Sequence, residues 1–359
     1  MSMKELTYAA KQQLESATLH PFRHAHVYEL VAACFGFKSR TALHVNHVVA
    51  VLDSPAVIPT DNLLVLKSRL TDLGYGVTAD AAGSALLQLL KERRLCLLSV
   101  DEVLASIDDL GLLGYEDWDD EDRYQDEEQV YWSRSHQSFD PDHIDLLIHE
   151  LEEVAKREHL KAHNTLVRLY RNEDFRALTG EGSEYWHSQL QQGKELSGIE
   201  LKWAEAYSKN IVNAQREAFH FQEAVRLGSV DARLELANGK AWEAETKGDF
   251  EGAKLSYMEA ANLGDIDAMR ALIYEYDEQN LFQNWVWVYL SELLSRDLRK
   301  SSLRAYHDGG LYAGEDYDDD QGGPMSIDGN EGVELTEMDS EQLLEAQKVA
   351  AQIYSRIAS

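Results

Sequence analysis

A chain of 359 residues suits two or three domains, and its 44% hydrophobic content supplies a real core and excludes wholesale disorder. The formal charge of −30 is unevenly spread: residues 1–115 hold ten basic and twelve acidic side chains, leaving 24 and 52 for the remainder. Such a surface repels phosphate backbones, which disfavours nucleic acid and favours a protein partner with a basic surface.

Two cysteines, Cys34 and Cys96, sit in apolar stretches without a CxxC pair and read as buried free thiols in a reducing compartment. The opening "MSMKELTYAAKQQLESA" lacks the apolar core of a signal peptide. Nowhere do eighteen apolar residues run together, so no membrane span is expected and the cytoplasm is the expected location. Only five prolines, with many Ala, Leu, Glu and Gln, favour helix over strand.

Residues 1–50 read as helical. In "HVYELVAACFGF" apolar residues recur at three- and four-residue steps, and Gly36 is placed to end the helix. Ser39 is expected to cap a further helix over "RTALHVNHVVAVL". "DSPAVIP" breaks the pattern, because each proline disfavours helix in the residue before it. Helix resumes at about 61–73 and 79–94, while "LCLLSV" at 95–100 fits a buried strand or a helix end. "SVDE" at 99–102 has the form of a capping box opening a helix to about Leu110. These elements define a mainly helical N-terminal module over 1–114.

Self-repelling charge in "YEDWDDEDRYQDEE" marks residues 115–139 as an acidic linker. Asp140 can then cap a helix with Pro141 in its first turn, and nearly everything to about residue 300 reads as helix. Glycines and aspartates make 307–335 an irregular acidic loop before a last amphipathic helix, closing a domain over 140–359.

Two strings thirty-six residues apart, "EAVRLGSVDARLEL" and "EAANLGDIDAMRAL", carry Glu, Ala, Leu, Gly, Asp, Ala and Leu in the same slots. In the second, Gly264 can end one helix in the left-handed conformation and Asp265 can cap the next, with Asp267 in its first turn. Gly248 and Asp249 make the same pair, and Gly228 and Ser229 play those parts in the first string. Ala224, Ala232, Ala260, Ala261 and Ala268 flank the turns, where small side chains let helix axes approach to roughly 8 Å. Phe221, Leu227, Tyr257, Leu263 and Leu272 would fill the space between successive pairs. A hairpin this small cannot bury its apolar face alone, so copies are expected to stack.

These residues resemble the Sel-one-like repeat, a relative of the tetratricopeptide repeat. Tyr257, Ala260, Ala261, Gly264 and Ala268 match its pattern, and Phe221, Ala224, Gly228 and Ala232 match with Val225 in place of one alanine. "WVWVYLSELLSRD" keeps the aromatic residue without Ala-Ala or Gly, and "AHNTLVRLYR" and "ELKWAEAYSKN" look like first helices of degenerate units. The resemblance covers about 200–275 and thins elsewhere from 140 on. It implies an all-α chain, an α/α right-handed superhelix of helix-hairpin repeats preceded by the small N-terminal domain, acting as a non-catalytic adaptor between proteins. "HAHVYELVAACFGFKSRTAL" also resembles small helical modules opening some bacterial and phage proteins, and carries no function.

Other clusters fit plain structural roles as well as functional ones. Five of the 13 histidines lie between positions 20 and 47, but no Cys, Asp or Glu recurs at ligand spacing, and no metal or cofactor is expected. His159 and His163 stand one turn apart without the intervening glutamate of HExxH. "GEDYDDDQGGP" and "SIDGNEG" contain oxygen ligands without the EF-hand order. Trp285, Trp287 and Tyr289 lie in a stretch apolar on all sides, which favours core packing and leaves them as candidate partner-binding residues. No GxSxG or phosphate-binding loop occurs, and "GEGSEYW" follows no strand, so no catalytic residue is expected. Two other functions fit less of the sequence: an acidic inhibitor or immunity-type protein neutralising a basic effector, and a metal-dependent enzyme using the N-terminal histidines.

Overall fold

The computed structural model describes residues 3–52, 62–110 and 139–358; "DSPAVIP" at 53–59 and all of the 115–139 linker except Phe139 lie outside them. The chain is mostly helical with a few short strands and divides into two units, Met1–Ser229 and Val230–Ser359. No helix of the described residues is long and apolar enough to cross a membrane.

In the first unit the order is α1 (Met3–Thr18), α2 (His24–Cys34), α3 (Arg40–Leu43), β1 (His47–Val51), α4 (Asn62–Asp72), α5 (Ala79–Glu92), β2 (Leu95–Ser99) and α6 (Val100–Leu110). After the linker come α7 (Ile144–Ala155), α8 (Leu160–Arg171), α9 (Glu173–Thr179), α10 (Glu184–Gln191) and α11 (Gly198–Arg226). Local signals hold. Gly36 (φ 89°) ends α2, and Ser39 accepts the Ala42 N–H at 3.1 Å to cap α3. Ser99 and Glu102 exchange hydrogen bonds as a capping box, 2.7 Å from the Ser99 N–H to the carboxylate and 3.2 Å from the Glu102 N–H to the hydroxyl.

The helix expected over "RTALHVNHVVAVL" stops after one turn. Val48, Val49 and Val51 are stiff at χ1 and suit a pleated surface, and β1 pairs antiparallel with β2 from His47 opposite Ser99 to Val51 opposite Leu95. This also settles "LCLLSV" as a strand. Alternation along β1 then divides the unit. Val49 and Val51 face a core with Leu6, Leu30, Leu66 and Leu86, whereas Val48, Ala50 and Leu52 face a second with Val103, Leu151, Leu166 and Phe139. The helices after the linker therefore share a core with strands before it. A buried His44–Glu150 contact of 2.8 Å and an Arg94–Asp140 ion pair add to that junction.

The second unit runs α12 (Val230–Thr246), α13 (Phe250–Asn262), α14 (Ile266–Ala271) continuing into a π-helical turn at Leu272–Tyr276, α15 (Leu281–Leu293), β3 (Arg304–His307), β4 (Met325–Asp328) and α16 (Ser340–Ile357). The stop–start turns are the expected ones. Gly248 (φ 71°) and Asp249 donate to Glu245 and Ala244 carbonyls, and the Asp249 carboxylate accepts the Gly252 N–H at 3.0 Å. Gly264 (φ 101°) and Asp265 repeat this against Ala261 and Ala260, with the Ala268 N–H on Asp265 at 2.9 Å. In the first unit, Gly228 and Ser229 make the same two backbone bonds to Val225 and Ala224. Helix α12 packs on α13 and α15 on α16, around Ala260, Ala261, Met269, Leu272, Trp287 and Ile353. A short hairpin pairs β3, at the entry to the irregular 307–335 segment, with β4 inside it, and Val333 reaches back into the core.

Because β1 borders both cores of the first unit, Leu66→Ala and Leu166→Ala should each cost about 2–5 kcal/mol and lower the midpoint of one shared unfolding transition. Urea denaturation followed by circular dichroism checks this; independent shifts of two separate transitions would show that the ribbon does not couple the cores.

Candidate functional site

The residues expected to define the repeat are placed as follows. Ala224 is buried in the first unit, and Phe221 lies half-buried beneath the Arg171 guanidinium, 5.4 Å from its ring centre. Ala232, Ala260, Ala261 and Ala268 are buried in the second, and Tyr257 is half-buried. Trp287 is 1% exposed and belongs to the core, so its side chain offers no surface to a partner. Trp285 and Tyr289 are half-buried, their rings 5.5 Å apart, with the Trp285 Nε1–H donating to the Thr336 carbonyl.

The large exposed side chains of the second unit lie elsewhere. Trp242, Phe250 and Leu255 are 68%, 70% and 67% exposed, whereas the buried positions of their helices are Ala232, Ala237, Ala241, Ala253, Ala260 and Ala261. The only fully buried side chains of α12 and α13 are thus alanines; Leu234, Tyr257 and Met258 are partly buried against the core, and Trp242, Phe250 and Leu255 are left in water. Residues 230–359 also hold 27 Asp and Glu against 11 Lys and Arg. None of these three stood out in the sequence, because the alanine spacing alone does not say which large side chains are left outside.

Beside this surface, the phenols of Tyr257 and Tyr276 both donate to Oε1 of Glu245, at 2.8 and 2.5 Å, with ring centres 5.1 Å apart. Burial, then the bond to the Glu245 carboxylate, pushes the Tyr257 hydroxyl up to about 12, and the same causes raise Tyr276. Lys254 pairs with Asp277 at 2.7 Å in the same region. A groove of 490 Å³ between α14 with its π-helical turn and the 330–331 loop is lined by Asp267, Arg270, Tyr274, Glu275 and Glu331.

The first unit holds a different constellation, 57 residues apart in sequence. His163 of α8 and His220 of α11 are buried with their Nδ1 atoms 2.9 Å apart, and His163 Nε2 lies 3.1 Å from the Ala155 carbonyl. A carbonyl only accepts, so His163 carries its proton on Nε2, and its Nδ1 accepts from His220 Nδ1–H. Burial holds both rings below the ordinary histidine range, His220 down to about 4. The pair borders a 650 Å³ cleft whose walls include Glu152, Lys156, Glu158, Arg216, Phe219 and Arg226. Tyr170, stacked on His220, has a buried hydroxyl that lies against the Arg216 guanidinium and is raised by burial.

The remaining candidate groups have separate duties. His44 binds Glu150 and His26 binds the Tyr75 hydroxyl, while His47 opens β1. His159 caps α8 by accepting the Ala162 N–H. Among the described residues no three His, Cys, Asp or Glu side chains converge as metal ligands. Burial pushes the Cys96 thiol up to about 12 and the Cys34 thiol higher, away from thiolate chemistry at neutral pH. In "GEGSEYW", Gly182 packs so closely on α11 that a Cβ would fall 2.5 Å from the Tyr207 Cα, which is a packing demand. In the acidic loop, Asp316 pairs with Arg304 and the Asp318 N–H donates to His307. No known protein family, curated protein or solved structure matches the chain.

A phenol raised in the folded state adds stability below its unfolded value near 10 that is lost as pH rises through the folded value. Absorbance titration at alkaline pH should therefore show Tyr257 and Tyr276 ionising late, alongside the buried Tyr170, and Glu245→Gln should move the first two toward the ordinary range while leaving Tyr170 late. Tyr257 and Tyr276 unchanged in that variant would remove Glu245 as a cause.

Proposed function

We propose that the chain is a non-catalytic adaptor that binds a protein with a basic surface through the exposed side of α12 and α13. On this reading its hairpins are Sel-one-like units of an α/α right-handed superhelix, and the repeated Gly–Asp and Gly–Ser turns with their buried alanines support that assignment. The observation that carries the binding role is the arrangement just described: Trp242, Phe250 and Leu255 outside, alanine inside. Exposed aromatic residues anchor protein interfaces, and the acidic excess of 27 over 11 would steer a cationic partner toward them.

The test is affinity capture with the full chain, because α7 and α8 share a core with β1 and a fragment starting at 140 would expose it. A partner captured at low salt should be weakened as salt rises. The double variant Trp242→Ala, Phe250→Ala should lose that partner while keeping the wild-type circular dichroism spectrum, since both side chains are mostly in water. Retention of the partner by the folded double variant would sink the assignment.

A further inference from the structure

Helix α11 is 29 residues long, yet only Ala204, His220 and Ala224 are buried along it. It packs against α8, and two of those three residues, His220 and Ala224, lie in its C-terminal quarter. A joint with so little apolar contact depends on each polar contact within it. The central one is His220 on His163.

The wiring of that pair sets how many protons it tolerates. The Ala155 carbonyl takes the His163 Nε2–H, and one proton sits between the two Nδ1 atoms. A first added proton has one nitrogen left, Nε2 of His220. A second must go onto His163 Nδ1, where it meets the His220 Nδ1–H head-on at 2.9 Å. Two donors and two charges cannot keep that contact. The groups acting on the pair include further cations: Lys156 just past α7, and Arg216 and Arg226 on α11. Acids also face it, Glu152 on α7, Glu158 in the α7–α8 turn and Glu223 on α11, with His159 ahead of α8 and Tyr170 on α8. Each of these acids already has an arginine: Glu152 with Arg216, and Glu158 and Glu223 with Arg226.

We infer that the His163–His220 contact is an acid-sensitive latch, which holds α11 on α8 while the pair is neutral and releases it when the pair becomes doubly charged. The sign follows from burial. Both rings are held below the ordinary value near 6.5, so the opened joint binds more protons than the closed one as pH falls from there. Opening should therefore grow by about tenfold per pH unit for each proton taken up.

Hydrogen exchange of the full chain between pH 7 and pH 4, corrected for intrinsic rates, tests this. Protection over 160–171 and 213–226 should fall by about tenfold or more per pH unit, while α2 and α5 keep theirs. His220→Gln and His163→Gln should flatten that fall, because glutamine can hydrogen-bond but not titrate. A fall of equal slope in both variants would assign the effect to the carboxylates and overturn the latch. Nuclear magnetic resonance titration of the wild-type rings gives a check independent of any variant: both must titrate below the ordinary histidine range, and two rings titrating independently near 6.5 would also overturn it.

Discussion

Alanine on the buried side of α12 and α13 is the constraint from which the rest of the second unit follows. Ala237, Ala241, Ala253, Ala260 and Ala261 leave no room for a thick layer between the two axes, so the helices lie close. A core built of methyl groups alone removes little area from water. The larger burial comes from the elements that pack next: Met269, Leu272, Trp287 and Ile353 gather around Ala260, Ala261 and Ala268. The bulk that alanine excluded, Trp242, Phe250 and Leu255, remains in solvent.

The turns make that arrangement possible. Gly248 and Gly264 both take positive φ and pass the chain to an aspartate that caps the following helix. A Cβ at either glycine would add strain in the left-handed region, and loss of either carboxylate would leave a first-turn N–H without its cap. In the first unit a different device does the organising. A two-stranded ribbon with apolar residues on both faces serves two cores at once, and the chain crosses from one core to the other by alternation along β1.

What could be read from the sequence was local. The Ser99–Glu102 box, the Asp140 cap before Pro141 and the Gly–Asp turns each depend on residues within a few positions, and all are present. The strand at 47–51 was misread because its valines follow helical periodicity and its partner lies more than forty residues onward. Pairing across such distances is decided by tertiary packing. The same limit hid His163–His220 and His44–Glu150, separated by 57 and 106 residues. Among the aromatic candidates, periodicity placed Trp287 in a stretch apolar on all sides, and its burial agrees with core packing. It gave no sign that Trp242 and Phe250 would be left outside, because the alanines that displace them look unremarkable in a helix.

The binding role of α12 and α13 is tested most directly by hydroxyl-radical footprinting of the full chain, alone and with its captured partner. The account predicts that Trp242 and Phe250 lose reactivity on binding while Trp287 stays unreactive in both states. Protection confined to first-unit residues, with Trp242 and Phe250 as reactive as in the free chain, would contradict it.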